Sequence, residues 1–266
     1  MLECVVNVSE GSDDVVLATL CDAVRGHLLD LHSDRHHNRS VFTLLGEEAP
    51  RALTTAAVPA LRLDSHEGVH PRLGIVDVVP FVPLQGSTMH DAVAARDRFA
   101  SWAADTLSLP CFLYGPERTL PELRRTAWKG QLPHAGPRSP PPRAGAVCVG
   151  AREPLVAYNV WLDGVSLEET KKIASLVRTE HVRTLGLQVG DHTQVSMNLV
   201  SPHVANPMHA VDAVARLTSI HHTELVGLVP AGVLDAIPRD RWEELDLSED
   251  RTIEWRVANG GPPISR

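Results

Sequence analysis

An α+β fold is predicted from three features of the sequence. Apolar residues alternate in short strand-like runs separated by stretches of helical spacing. The second half reads β-α-β-β-α-β, the split βαβ order of a ferredoxin-like domain. The length of 266 residues holds one large domain or two of about 100–150 residues each. The first half gives a similar order with additional elements, and no fixed-period repeat links the two.

In the first half Leu2 to Val8 alternates as a strand and ends in Ser9-Glu10-Gly11. Asp13 and Asp14 then open an apolar-periodic helix to Arg25. His27 to His32 and Ser40 to Gly46 read as strands around a polar turn, Ser33 to Arg39. Pro50 to Leu61 is helical, the loop around His66 follows, and Ile75 to Leu84 is a β-branched strand. Thr88 to Leu107 is a long amphipathic helix and Cys111 to Tyr114 a short buried strand. From Gly115 to Gly145 the prolines, including Pro140-Pro141-Pro142, oppose regular structure. This stretch is either an interdomain linker or a long ordered loop beside a ligand.

In the second half Leu155 to Leu162 is a strand, and Ser166 with Glu169 forms a capping-box signature for a helix to Thr179. Thr184 to Val189 and Thr193 to Leu199 are strands around Gly190-Asp191-His192. Asn206-Pro207 caps a helix to Ser219, and His222 to Val226 closes the sheet. Beyond Pro238 the polar tail is expected to be peripheral and partly frayed.

Composition excludes several classes of function. The chain is 43% hydrophobic and 22% charged with net charge −8, which argues against a nucleic-acid surface. No apolar run approaches a membrane span, and Met1-Leu2-Glu3 lacks a basic leader. Cys4, Cys21, Cys111 and Cys148 show no metal-binding spacing and are expected to be reduced in a cytoplasmic protein.

Chemistry-bearing residues concentrate in three loops: Asn7 to Gly11, the Asn38-Arg39 turn, and His66 to Gly74. His66-Glu67-Gly68-Val69-His70 is a literal H-E-x-x-H string, which in a zinc protease places both histidines on one helix face. Gly68 weakens such a helix, and Pro71 pushes His70 toward an extended conformation. A loop histidine at position 70 is suited to acid/base work, and Arg39 and Arg72 to holding carboxylates. The pairs His36-His37 and His221-His222 are weak metal candidates, because adjacent side chains diverge on a strand.

Taken together, these segments resemble the formiminotransferase family. Glu3-Cys4-Val5-Val6-Asn7-Val8-Ser9-Glu10-Gly11 is similar to its E-C-V-P-N-F-S-E-G opening. Asn38-Arg39-Ser40-Val41-Phe42-Thr43 is similar to N-R-[ST]-V-[FY]-T, and His66 to Gly74 to H-K-G-E-H-P-R-M-G. Gln194-Val195-Ser196-Met197-Asn198-Leu199 and Glu224 to Pro230 match further blocks in the same order, so the likeness runs from about residue 3 to 236.

The resemblance implies two ferredoxin-like subdomains, 1–153 and 154–266, in an α/β sandwich with a folate tunnel between them, and a homodimer. It implies transfer of a formimino group from N-formimino-L-glutamate to N5 of tetrahydrofolate, a co-substrate, giving 5-formiminotetrahydrofolate and glutamate in histidine degradation, with no metal required. The family's catalytic histidine falls on His70. Its folate loop falls within 133–146, on Gly136, Pro137, Arg138, Ser139, Pro142, Arg143 and Gly145. Asn38, Arg39, Arg72 and Arg152 are candidates for substrate binding, the arginines for its carboxylates. His32 stands where animal members carry an aspartate, so the group that orients His70 is left open, and no cyclodeaminase domain is expected to follow. Two competing readings remain. One keeps the fold with a changed donor or acceptor, or binds folate without turnover; the other is a zinc hydrolase using His66 and His70.

Overall fold

The computed structural model describes residues 1–260. The chain divides into two compact units, one of Met1–Glu153 and one beginning at Pro154.

In the first unit, strands β1 (Leu2–Val8), β2 (Leu28–Asp34), β3 (Arg39–Leu45), β4 (Val76–Pro83), β5 (Cys111–Tyr114) and β6 (Val147–Ala151) form one sheet ordered β2-β3-β1-β4-β6-β5. The first four are antiparallel and, with helices α1 (Asp14–Val24) and α2 (Glu48–Ala60), make the split βαβ pattern. β6 and then β5 extend the β4 edge in parallel, and α3 (Met89–Leu107) packs over them. One face carries the core, where Val6, Phe42 and Phe81 of the sheet meet Leu20, Leu53 and Phe99 of the helices. Removing such side chains from water is the main favourable term holding the layers together. α1 begins at Asp13, whose carboxylate accepts from Val15 and Val16 N–H, and α3 at a Thr88–Asp91 capping box.

A register shift between Asn7 and Val8 positions the site. Asn7 pairs with Val78 and Val8 with Val76, leaving Asp77 as the extra residue of a bulge. Bulges re-aim a side chain beside functional loops, and Asp77 does line the pocket described below.

The proline-rich stretch is not a linker between the units. It lies inside the first, and α4 (Leu120–Thr126) forms within it. Thr119 and Glu122 build a full capping box there, with Pro121 in the first turn where a missing N–H costs nothing. α4 packs on the second face of β5 and β6, where Leu123 meets Phe112, Tyr114 and Cys148. Past it, residues 133–146 form an irregular loop tied into the unit. Gly145 bridges Gly74, Ile75 N–H donates to Ala144 O at 3.0 Å, and Leu63 N–H donates to Arg143 O at 2.7 Å. Gly145 has φ +70°, and a Cβ there would stand 2.2 Å from Leu73 O, so the contact requires glycine.

In the second unit, β7 (Val156–Leu162), β8 (Val182–Val189), β9 (His192–Leu199) and β10 (Ile220–Val226) form an antiparallel sheet ordered β10-β7-β9-β8. This is the same permutation as β4-β1-β3-β2 of the first unit. Helices α5 (Leu167–Leu176) and α6 (Pro207–Ala215) cover one face, packing on Tyr158, Val160, Val195 and Leu225. Both begin where expected, at Ser166 and Asn206, although α5 ends three residues earlier than the helix to Thr179.

The tail is packed rather than frayed. α7 (Ala231–Leu234), two short 3-10 turns and α8 (Ile253–Asn259) follow β10, and Ile237, Leu245, Leu247 and Ile253 are buried. Arg251 is buried too, donating to Leu225 O at 2.6 Å and pairing with Asp246 at 2.7 Å. The 266 end of the second predicted domain lies outside the described residues.

Among the described residues no helix is long and apolar enough to cross a membrane. The cysteines are unpaired, and burial raises the thiol pKa of Cys4 and Cys148 and pushes Cys111 up to about 12.

Candidate active site

The three loops singled out in the sequence converge. Ser9, His37, Asn38, Arg39, His66, His70, Arg72 and Asp77 line one pocket of the first unit, with a volume of about 10 Å³, the space of roughly one water. Polar bonds between the loops hold it. Ser9 Oγ–H donates to Gly74 O at 2.9 Å, Asn38 Nδ2–H to Glu67 O at 2.8 Å, and Gly11 N–H to Asn38 Oδ1 at 2.9 Å. Asn38 takes the left-handed conformation its residue type tolerates, φ 46°. Its amide is therefore a strut between loops rather than a free substrate contact. Gly68 passes so close to the turn that a Cβ would meet His37 O at 2.4 Å.

The H-E-x-x-H segment is not helical, so the arrangement a zinc protease requires is absent. Its histidines instead make separate backbone contacts. Since a carbonyl only accepts, His66 Nε2–H donates to Asn38 O at 2.8 Å, leaving buried Nδ1 unpartnered. His70 Nδ1–H donates to the Pro71 carbonyl at 2.9 Å, so in the neutral ring Nε2 carries the lone pair. A backbone carbonyl thus holds the His70 ring.

Sequence reading missed the residue that holds this carbonyl. Arg124 on α4 donates through Nη1 to Pro71 O and through Nη2 to Asp77 Oδ2, while Asp77 Oδ1 accepts from Leu73 N–H at 2.7 Å. The Arg124 and Asp77 side chains are 19% and 4% exposed, so this pair is shielded and fixes both ends of Pro71–Leu73. The T-x-x-E box at Thr119 is the signal that places this helix.

Arg39 donates through Nη2 to Asn7 Oδ1, while its Nε is buried without a partner. Burial lowers its pKa to about 10, against the pull of Asp77, so it stays cationic at neutral pH. Arg72 curls back on its own loop, donating to Gly68 O at 2.8 Å through Nη2. Arg152 is not part of the pocket: it follows β6 beyond the Phe81–Ala151 pair, toward the end of β4 opposite Asp77, and donates to Glu153 O. In the 133–146 loop Arg138, Ser139 and Pro142 are exposed and Gly136 and Pro137 lie at its start. Arg143 reaches back to the Leu61 and Pro59 carbonyls at the end of α2. This loop adjoins the exit of the His70 loop through Gly145 and Gly74 without lining the pocket.

Burial pulls the His70 imidazole down to about 2; Arg39 adds to the shift, the Pro71 carbonyl opposes it, and Arg124 and His37 lower it further. A histidine with a folded pKa below its unfolded value binds fewer protons when folded, so stability falls as pH drops through the ordinary histidine range. The Tm is therefore expected to decline between about pH 7.5 and about 5, and to decline less in His70→Ala. Calorimetry of both proteins at matched ionic strength checks this; equal declines would remove His70 as a source.

Comparison with known proteins agrees with this architecture. Residues 1–152 match the model of the formiminotransferase domain, N-terminal subdomain. The chain is 34% identical to glutamate formimidoyltransferase of Streptococcus pyogenes serotype M1, across 88% of this chain and 90% of that protein. It is 32% identical to glutamate formimidoyltransferase of Thermoplasma acidophilum, across 88% and 89%. It is also 32% identical to formimidoyltransferase-cyclodeaminase of Rattus norvegicus, spanning 89% of this chain and 51% of that longer protein. With its domain match and near full-length likeness to these transferases, the chain belongs to the formiminotransferase family.

Proposed function

We propose that this enzyme transfers a formimino group from N-formimino-L-glutamate to N5 of tetrahydrofolate, with His70 as its proton-transfer residue. The observation that carries the reading is the pairing, in one pocket, of a tautomer-fixed histidine with a guanidinium whose Nε–H is unspent. The names of the two full-length relatives support it.

Attack of N5 on the amidine carbon creates a tetrahedral centre with two competing amines. The N5 proton must leave, and the glutamate nitrogen must gain one before it departs. Nε2 of His70 is the lone-pair atom for the first transfer, and general acid–base catalysis of this kind contributes about 10²–10⁴-fold. Burial is the larger part of the His70 shift and Arg39 the next; a substrate carboxylate beside Arg39 offsets that cation's share alone. Residues 136–145 supply the folate wall in this reading, stiffened by Pro140-Pro141-Pro142. A cytoplasmic homodimer completes it, carried by the family resemblance.

Purified protein incubated with formiminoglutamate and tetrahydrofolate is expected to form 5-formiminotetrahydrofolate. Absence of product with both simple and polyglutamylated folate would sink the assignment and favour a changed donor or acceptor.

A further inference from the structure

The reaction moves two protons, and the pocket holds a second histidine whose geometry suits the second transfer. His36 and His37 diverge: His36 is exposed, whereas His37 is half-buried and lines the same pocket as His70. His37 Nδ1 stands 3.0 Å from Asp34 Oδ2, with side chains 11% and 18% exposed. Asp34 Oδ1 in turn accepts the N–H groups of His36 at 2.7 Å and His37 at 2.8 Å. The carboxylate is thus locked in place by the turn it caps. Burial pushes Asp34 up, but its bonds from His37 outweigh this and hold it at about 2, so it is ionised at working pH.

A carboxylate on Nδ1 fixes the ring's orientation and leaves Nε2 as the exchanging atom. The His37 and His70 rings meet edge to face with centroids 6.4 Å apart, so both imidazoles face the same small space. The other charged or titratable groups facing this space are Arg39 from β3, His66 and Arg72 from the loop, and Asp77 from β4.

We propose that His37, held by Asp34, is the general acid of the site, delivering a proton to the departing nitrogen while His70 accepts the one leaving N5. This rests on the formimino-transfer reading. As the bond from N5 to the carbon of the protonated amidine forms, the C=N π pair moves onto the terminal nitrogen and the N5 proton passes to His70 Nε2. The terminal nitrogen then re-forms C=N as the bond from that carbon to the glutamate nitrogen breaks, and the pair of the broken bond stays on the glutamate nitrogen, which takes the proton of His37 Nε2. Protonated His70 then returns its proton to His37 through water, so both residues end as they began and no net proton is consumed.

The test measures kcat and KM of wild type, His37→Ala, His37→Gln and Asp34→Asn with formiminoglutamate and tetrahydrofolate. The position 37 variants are expected to lose about 10²–10⁴-fold in kcat with KM nearly unchanged. Asp34→Asn keeps the backbone acceptor of the turn but not the charge, and is expected to show a smaller loss in the same parameter. Exogenous imidazole is expected to restore part of the His37→Ala rate, a response that a purely structural role would not give; His37→Gln guards against the hole left by alanine. Position 37 variants within about threefold of an active wild type, or a loss confined to KM, would overturn the role of His37 while leaving the transferase reading intact. An inactive wild type would instead overturn the underlying reaction and this role with it.

Discussion

His70→Gln is expected to lower kcat for formimino transfer by about 10²–10⁴-fold while leaving KM for both substrates nearly unchanged. The substitution removes the Nε2 lone pair but keeps a polar side chain of similar reach on a loop whose conformation is set elsewhere. Ser9, Asn38 and Arg124 tie that loop down, not the imidazole itself. The fold should therefore survive, and circular dichroism with a Tm near wild type would show it. Because His70 is neutral and partly desolvated when folded, no ion pair is lost with it. Steady-state kinetics following 5-formiminotetrahydrofolate decide the matter, and a kcat within tenfold of wild type would exclude His70 as the base.

Arg124→Met is expected to be among the most damaging substitutions for stability, at about 3–5 kcal/mol, because it strands the buried Asp77 charge. Denaturant unfolding of the wild type and the variant measures this directly. Asp77→Asn added to Arg124→Met should recover much of the loss, since an amide keeps an acceptor for Leu73 N–H without a charge to desolvate. If the single and double variants are equally unstable, packing of α4 rather than charge pairing is responsible. The single variant also frees the Pro71 carbonyl, so its kcat should fall even under conditions where it remains folded.

The elements legible in the sequence are those with a strong local signal. A β-branched run marked β4, helical spacing marked α1 and α3, and Asp13, Thr88 and Asn206 began helices as caps. β6 escaped notice because Val147–Ala151 is only five residues long and follows directly on the proline-rich stretch. α4 was obscured by prolines, although Pro121 occupies a first-turn position where proline is at home. The tail misled because Arg251 and Arg256 are polar by composition yet buried in place.

For the site, loop convergence was legible because Asn7 to Gly11, Asn38-Arg39 and His66 to Gly74 carry an unusual density of functional groups. What each side chain has left to offer was not. Asn38 and Arg143 spend their polar atoms on neighbouring backbone, and Arg72 on its own loop, whereas Arg39 keeps a donor unspent. His37 and Arg124 became visible only once the turn and α4 had placed them beside residues distant in sequence.

The bond from His70 to the Pro71 carbonyl carries a consequence for how such sites diversify. An orienting aspartate is one codon away from loss, but a main-chain oxygen is supplied by the path of the polypeptide, whatever side chains decorate it. Here the tautomer is written into loop shape, through a carbonyl that Arg124 holds in place. Scanning mutagenesis, which replaces side chains only, would pass over the orienting group and report its effect at Arg124 instead.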